Sequence, residues 1–170
     1  MVWSDNTPGN WEIYFRKSAN GGTTWNTAQR LTNNAEDSVY PKIAVDGSKV
    51  YVIWAEYTEF YFRMSLNGAT TWQDAIMLTN TQGYSTGDGD LEYSGSKIFV
   101  VYEDHISGNP EVYFKKSSDG SATWPVTRRV KNNMGQSMYP NIAAGSSAVY
   151  AVWSDNTPGN FEIYLKYSPL

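Results

Sequence analysis

SANGGTTW occupies Ser18 to Trp25, SLNGATTW occupies Ser65 to Trp72, and SSDGSATW occupies Ser117 to Trp124. The three stretches align without a gap, and their tryptophans fall 47 and 52 residues apart. A period of this size is the sequence mark of a solenoid or a propeller. Working outward, EIYFRKS, EFYFRMS and EVYFKKS run into the three stretches, and EIYLKYS stands alone near the C-terminus. Further upstream lie VWSD, VIWAE, VYED and VWSD again.

Alternating apolar residues bounded by Gly, Asn and Ser clusters predict four short strands per unit. Strand A is expected over residues 40–45, 89–93 and 139–144, and strand B over 49–55, 97–103 and 148–154. Strand C is expected over 12–18, 59–65, 111–117 and 162–168, and strand D over 28–32, 75–79 and 127–131. Four antiparallel strands recurring at this period predict an all-β fold made of β-propeller blades. The units divide into a partial blade at 1–39, blades at 40–84 and 85–138, and a partial blade at 139–170. VWSDNTPGN stands at both 2–10 and 152–160, so the first and last B–C hairpins are copies of one another. A closed ring hides its strand edges, and partial blades expose theirs. A homo-oligomer, most simply a two-fold dimer, is therefore expected.

Composition agrees with strands and tight turns: seven Trp and 13 Tyr accompany 14 Gly. A net charge of −4 without a basic run gives nucleic acid or an anionic membrane surface nothing to hold. No stretch reaches the ~20 apolar residues of a membrane span, and a soluble chain is expected. The absence of cysteine excludes disulfides, thiol nucleophiles and thiolate metal sites, and fits either redox compartment.

The three opening stretches resemble the Asp-box, or BNR, repeat of sialidase-like propellers, whose pattern is S-x-D-x-G-x-T-W between strands C and D. The matching residues are Ser18, Asn20, Gly22, Thr24 and Trp25; Ser65, Asn67, Thr71 and Trp72; and Ser117, Asp119, Thr123 and Trp124. The box Asp survives only as Asp119, and the box Gly becomes Ala69 and Ser121 in the second and third copies. Asn holds a tight turn much as Asp does, so the turn is expected to persist. The resemblance implies that the box is structural and lies opposite the ligand-binding face. It also favours a secreted or cell-surface location.

Sialidase catalysis in that family uses an arginine triad, a Tyr nucleophile with a Glu partner and an Asp acid/base. Here Arg16 and Arg63 share a strand C position held by Lys115 and Lys166 elsewhere, and Arg30, Arg128 and Arg129 fall on strand D. Strand A, where a carboxylate clamp would converge, carries no arginine. No catalytic residue is assigned, and the expectation is a non-enzymatic scaffold or recognition module with glycan as the ligand class. The alternatives are a fragment of a sialidase-like hydrolase with its catalytic groups on other blades, or a propeller-assembly model without a ligand.

If the boxes occupy one face, the B–C hairpins and D–A connections occupy the other, where binding residues ride on loops. The candidates there are Asp5, Asn10, Trp11, Asp104, Asn109, Asp155, Asn160 and Phe161. The aspartates and asparagines could accept and donate to sugar hydroxyls, or could merely close Asx turns. Trp11 and Phe161 could offer a flat ring to a sugar. No cofactor is expected, although Asp88 and Asp90 in TGDGD form the kind of oxygen-rich turn that suits Ca²⁺.

Overall fold

A computed structural model describes residues 1–81, 88–132 and 134–170, so the blade boundary expected at 84/85 lies outside the described residues. Fourteen strands form four antiparallel sheets, and no helix occurs among the described residues. The first sheet holds β1 (Val2–Asp5), β2 (Glu12–Phe15) and β3 (Gln29–Arg30). The second holds β4 (Ser38–Asp46), β5 (Lys49–Glu56), β6 (Glu59–Ser65) and β7 (Ile76–Met77). The third holds β8 (Gly89–Ser94), β9 (Lys97–Asp104), β10 (Glu111–Ser117) and β11 (Val126–Arg129). The fourth holds β12 (Ser137–Ala144), β13 (Ala148–Asp155) and β14 (Glu162–Pro169). These are the expected B-C-D, A-B-C-D, A-B-C-D and A-B-C sets.

Two differences from expectation have local causes. Strands β4 and β12 start upstream of residues 40 and 139, because Ser38 pairs with Glu56 and Ser137 with Asp155. The D strands shrink at β3 and β7, where only two residues pair with strand C. An outer strand with one neighbour retains only as much ladder as its side chains can hold in place.

The core lies between blades. Ile13, Phe15 and Leu31 of the first blade meet Val50, Val52, Trp54 and Ala69 of the second. Tyr51, Ile53, Phe60 and Phe62 of the second meet Leu91, Ile98, Val100 and Tyr102 of the third. Phe99 and Val101 of the third meet Ile142 and Val149 of the fourth. Thus each sheet sends alternate residues to its two neighbours, as a two-residue side-chain period requires. Within every blade an aromatic on strand B stacks on a Tyr of strand C: Trp3 on Tyr14, Trp54 on Tyr61, Tyr102 on Tyr113 and Trp153 on Tyr164.

In the first three blades the recurring strand C glutamate ties the blade to the connection that follows it. Glu12 accepts from Arg30 Nη2 at 2.6 Å and from the Asn34 N–H at 3.2 Å. Burial pushes its carboxyl upward, but bonds from Thr32, Arg30, Asn34 and Asn10 together hold it below the usual range. Glu59 accepts from Thr79 at 2.5 Å and from the Thr81 N–H at 2.8 Å, and Glu111 accepts from Arg129 and Ser137.

Candidate functional site

The boxes build one end of the propeller. Ser18 Oγ accepts from the Gly22 N–H at 2.8 Å, and Asn20 Oδ1 accepts from the Thr24 N–H at 2.9 Å. Ser65, Asn67, Ala69 and Thr71 repeat those bonds, as do Ser117, Asp119, Ser121 and Thr123. One bond reverses with the residue type. The Asn20 and Asn67 amides donate to Thr24 and Thr71, whereas Thr123 donates its hydroxyl to the Asp119 carboxylate at 2.6 Å. That bond, the Thr123 N–H and the Ser117 hydroxyl lower the Asp119 carboxyl to about 2. Ala69 and Ser121 take up the left-handed backbone of the box glycine, with φ of 65° and 85°.

Each box tryptophan reaches for the blade before it. Trp72 packs edge-on against Phe15 at 5.3 Å, and Trp124 packs against Phe62 at 5.2 Å. Trp25 has no preceding blade in this chain and remains exposed.

The opposite end gathers the B–C turns and D–A connections, joined by the Ser38 N–H to Trp11 carbonyl bond at 2.7 Å and the Ser137 N–H to Pro110 carbonyl bond at 2.8 Å. Most of the candidate polar residues are engaged within this scaffold. Asp5, Asp104 and Asp155 close Asx turns on the N–H groups of Thr7, Ile106 and Thr157 at 2.7–2.9 Å. Asp155 also accepts from Ser137 Oγ at 2.9 Å and pairs with Lys131 at 3.1 Å. Asn10 bridges to the Glu36 carbonyl at 2.9 Å, Asn109 reaches the Gly135 carbonyl, and Asn160 donates to Glu162. Trp11 and Phe161, by contrast, present exposed rings at this end.

The inner strands β4, β8 and β12 lie beside one another here, and they carry residues that belong to none of the repeated motifs. Tyr40 and Tyr139 each precede a proline, sit at a register shift of the inner strand, and adopt φ of 55°. Their rings are exposed, as is that of Tyr57 in the β5–β6 turn, which has the same φ. Left-handed backbone at a bulky residue is an outlier, and proline restricts the preceding residue further. A signal was present in the chain: SVYP at 38–41 and SMYP at 137–140 occupy the same place in the repeat.

Between them β8 begins at Gly89, where an added Cβ would approach Phe60 to 2.7 Å. Carboxylates line this interval. Glu103, buried on β9, has Oε1 2.9 Å from His105 Nε2, while its Oε2 accepts from the Tyr139 N–H at 3.3 Å. Asp90 accepts from the Ile142 N–H at 3.0 Å. Among the described residues no three His, Asp or Glu side chains converge to hold a metal ion.

The arginines lie elsewhere. Arg30 and Arg129 are paired with Glu12 and Glu111, and Arg63 donates to the Leu31 and Gln73 carbonyls. All belong to strands C and D rather than to the inner strands.

No protein-family model and no curated protein matches the chain. Solved structures do. A Trypanosoma rangeli sialidase in complex with the inhibitor DANA superposes with a TM-score of 0.67 at 14% identity, over 94% of this chain and 33% of that one. A protein of unknown function from Dyadobacter fermentans superposes at 0.71 with 12% identity, over 98% of this chain and 49% of that one. The catalytic domain of a Coprinopsis cinerea GH62 α-L-arabinofuranosidase superposes at 0.56 with 8% identity, over 99% of this chain and 69% of that one. The chain thus spans about a third of the matched sialidase and about half of the Dyadobacter protein. At these identities the likeness establishes the fold, that of β-propeller blades, and nothing about the reaction.

Proposed function

We propose that this sialidase-like propeller segment is a non-catalytic recognition module that binds neutral, hydroxyl-rich glycan at the mouth formed by β4, β8 and β12. The observation that carries this reading is the pair of exposed tyrosines, Tyr40 and Tyr139, held in left-handed backbone on either side of Gly89. Such backbone costs about 1–3 kcal/mol per residue and is concentrated at functional sites. Aromatic rings offer flat apolar faces to sugar C–H groups, and the half-buried Asp88 and Asp90 supply acceptors for hydroxyls. Trp11 extends the aromatic rim toward the first blade, next to Asp37 and Ser38.

Charge selects the ligand class. A carboxylated sugar calls for bidentate arginine. Arg30, Arg63 and Arg129 are engaged on strands C and D, while the mouth carries the carboxylates Asp88 and Asp90. The test is titration of the chain with a panel of neutral oligosaccharides and sialosides, alongside a fluorogenic sialoside turnover assay. Binding of a neutral glycan that is lost in the double variant Tyr40→Ala/Tyr139→Ala supports the reading. Sialoside turnover, or neutral-glycan binding that the double variant leaves unchanged, overturns it.

A further inference from the structure

One blade breaks the repeat at the mouth with a buried carboxylate. The strand B residue that follows the stacked aromatic is Ser4 in the first blade, Ala55 in the second and Ser154 in the fourth, but Glu103 in the third. Two residues on, Asn6, Tyr57 and Asn156 correspond to His105, the single histidine of the chain. A carboxylate and an imidazole thus enter together, in one blade, at two positions of the same hairpin. Burying a carboxylate costs free energy that Ser or Ala at the same place does not. The strand ladder does not need it, because strands B and C pair in the same register through Ser4, Ala55 and Ser154.

Glu103, 6% exposed, touches three members of the mouth. Its N–H donates to the Asp88 carbonyl at 2.9 Å, its Oε2 accepts from the Tyr139 N–H at 3.3 Å, and its Oε1 lies 2.9 Å from His105 Nε2. His105 rides on the β9–β10 turn, which Asp104 closes by accepting from the Ile106 N–H at 2.7 Å. A carboxylate only accepts, so in the neutral ring the proton facing Glu103 sits on Nε2 and Nδ1 is left as an acceptor. Nδ1 has no partner among the described residues, and the His105 side chain is 36% exposed. Its counterpart Asn156 instead spends its side-chain carbonyl on the Gln136 N–H at 2.7 Å. Tyr40 reaches the same φ of 55° as Tyr139 with Ser4 at the matching position, so the carboxylate is not what folds the left-handed bulge.

Resting on the glycan reading of this mouth, we propose that Glu103 is a positioning residue and His105 a specificity-determining one. Glu103 holds the backbone of Tyr139 and the tautomer of His105, and His105 Nδ1 accepts a hydrogen bond from a sugar hydroxyl. One carboxyl group makes both contacts, so the Tyr139 backbone and the imidazole keep a fixed spacing. Such support from a buried neighbour is what holds a binding group in productive geometry. A sugar matches the pair, because its C–H face stacks on an aromatic ring while hydroxyls project from its edge. The choice of tautomer adds selectivity: an unprotonated Nδ1 takes an O–H donor and offers nothing to the carboxylate of a sialoside.

Two measurements on the full chain decide it. The first needs no ligand: with a single histidine, ring nitrogen shifts from NMR report one tautomer without overlap. At about pH 8.5, above the ordinary imidazole range, the proton is expected on Nε2. In Glu103→Gln it is expected on Nδ1, since the Gln oxygen stays with the Tyr139 N–H and its amide donates to the ring. A parent ring protonated on Nδ1, or a tautomer that Glu103→Gln leaves unchanged, overturns the dyad. The second is calorimetric titration with neutral oligosaccharides at the same pH, alongside Tm. Glu103→Ala and His105→Ala are each expected to weaken binding about 10-fold, the worth of one hydrogen bond, and the double variant is expected to bind no more weakly than Glu103→Ala. Because Ala is what the second blade carries at this position, Glu103→Ala is expected to melt no lower than the parent. Affinity that either variant leaves unchanged, or a Tm that falls together with affinity, overturns the proposal. Failure of the glycan reading has a different signature: the parent binds none of the panel while the tautomer still switches, and the ligand role of Nδ1 falls with that reading.

Discussion

Trp72 and Trp124 make the same inter-blade contact with one difference, and that difference can be engineered away. Trp72 Nε1 donates to Gln29 Oε1 at 2.9 Å, and the Gln29 amide donates to the Ala69 carbonyl at 3.1 Å. In the next interface the position of Gln29 is held by Ile76, since Phe15 pairs with Gln29 and Phe62 with Ile76. Trp124 Nε1 is buried without a partner there. Ile76→Gln should restore the acceptor and place its amide toward Ser121, the counterpart of Ala69. Satisfying a buried N–H recovers about 1–3 kcal/mol. Against this stands the apolar burial of Ile76, which at 39% exposure contributes about 1 kcal/mol. The net expectation is a stabilisation of about 1 kcal/mol, seen as a rise in Tm of about 2–4 °C for a chain of this size. Chemical and thermal denaturation followed by circular dichroism measure it, and the gain should vanish in a Trp124→Phe background, which has no indole N–H. An Ile76→Gln protein no more stable than the parent, or a gain that survives Trp124→Phe, would refute the account of the orphaned indole.

Other outcomes follow from repeat positions that share sequence but not surroundings. Glu111→Gln should cost about 2–4 kcal/mol by leaving Arg129 uncompensated, whereas Glu162→Gln, at an exposed carboxylate, should cost under about 0.5 kcal/mol; denaturant midpoints compare the two. Asp119 has a folded carboxyl lowered to about 2, so its contribution to stability is full above the ordinary carboxylate range and is lost as pH falls through 2. Asp119→Asn should therefore flatten the acid limb of a stability–pH profile, because the Asn20 and Asn67 boxes do not titrate. Gly89→Ala should cost about 1–3 kcal/mol, since its Cβ would press on Phe60 at 2.7 Å and on the Val101 carbonyl at 3.1 Å, and a lowered Tm checks it.

Much of the scaffold was legible in the chain. Strand C at Glu59–Ser65 and Glu111–Ser117 has the bounds that alternation predicts, because a two-residue period bounded by a turn motif leaves little freedom in register. The box turns were legible for the same reason: Ser, Asn or Asp, and Thr at fixed offsets bond their own backbone, so the sequence specifies the contact locally. Of the candidate mouth residues, Trp11 and Phe161 are exposed on the expected face. Asp5, Asp104 and Asp155 were ambiguous from sequence, since an Asx turn and a ligand contact use the same carboxylate. Tyr40 and Tyr139 went unremarked because recurrence alone reads as packing, and only backbone geometry distinguishes a strained, exposed ring from a buried one.

What the sequence alone determined is the all-β repeat, the order of strands within each blade and the box turns, because each of these depends on residues close together in the chain. The environment of each repeated residue was decided only by tertiary structure. Trp25 and Trp72 carry the same motif, yet one is exposed and the other rests on Phe15; Glu12 and Glu162 are copies, yet one is buried and bonded by Asn10, Arg30 and Asn34 and the other faces solvent. The physical reason is that a blade's apolar faces are buried by its neighbours and not by itself, so identical segments acquire different energies from what stands beside them in space.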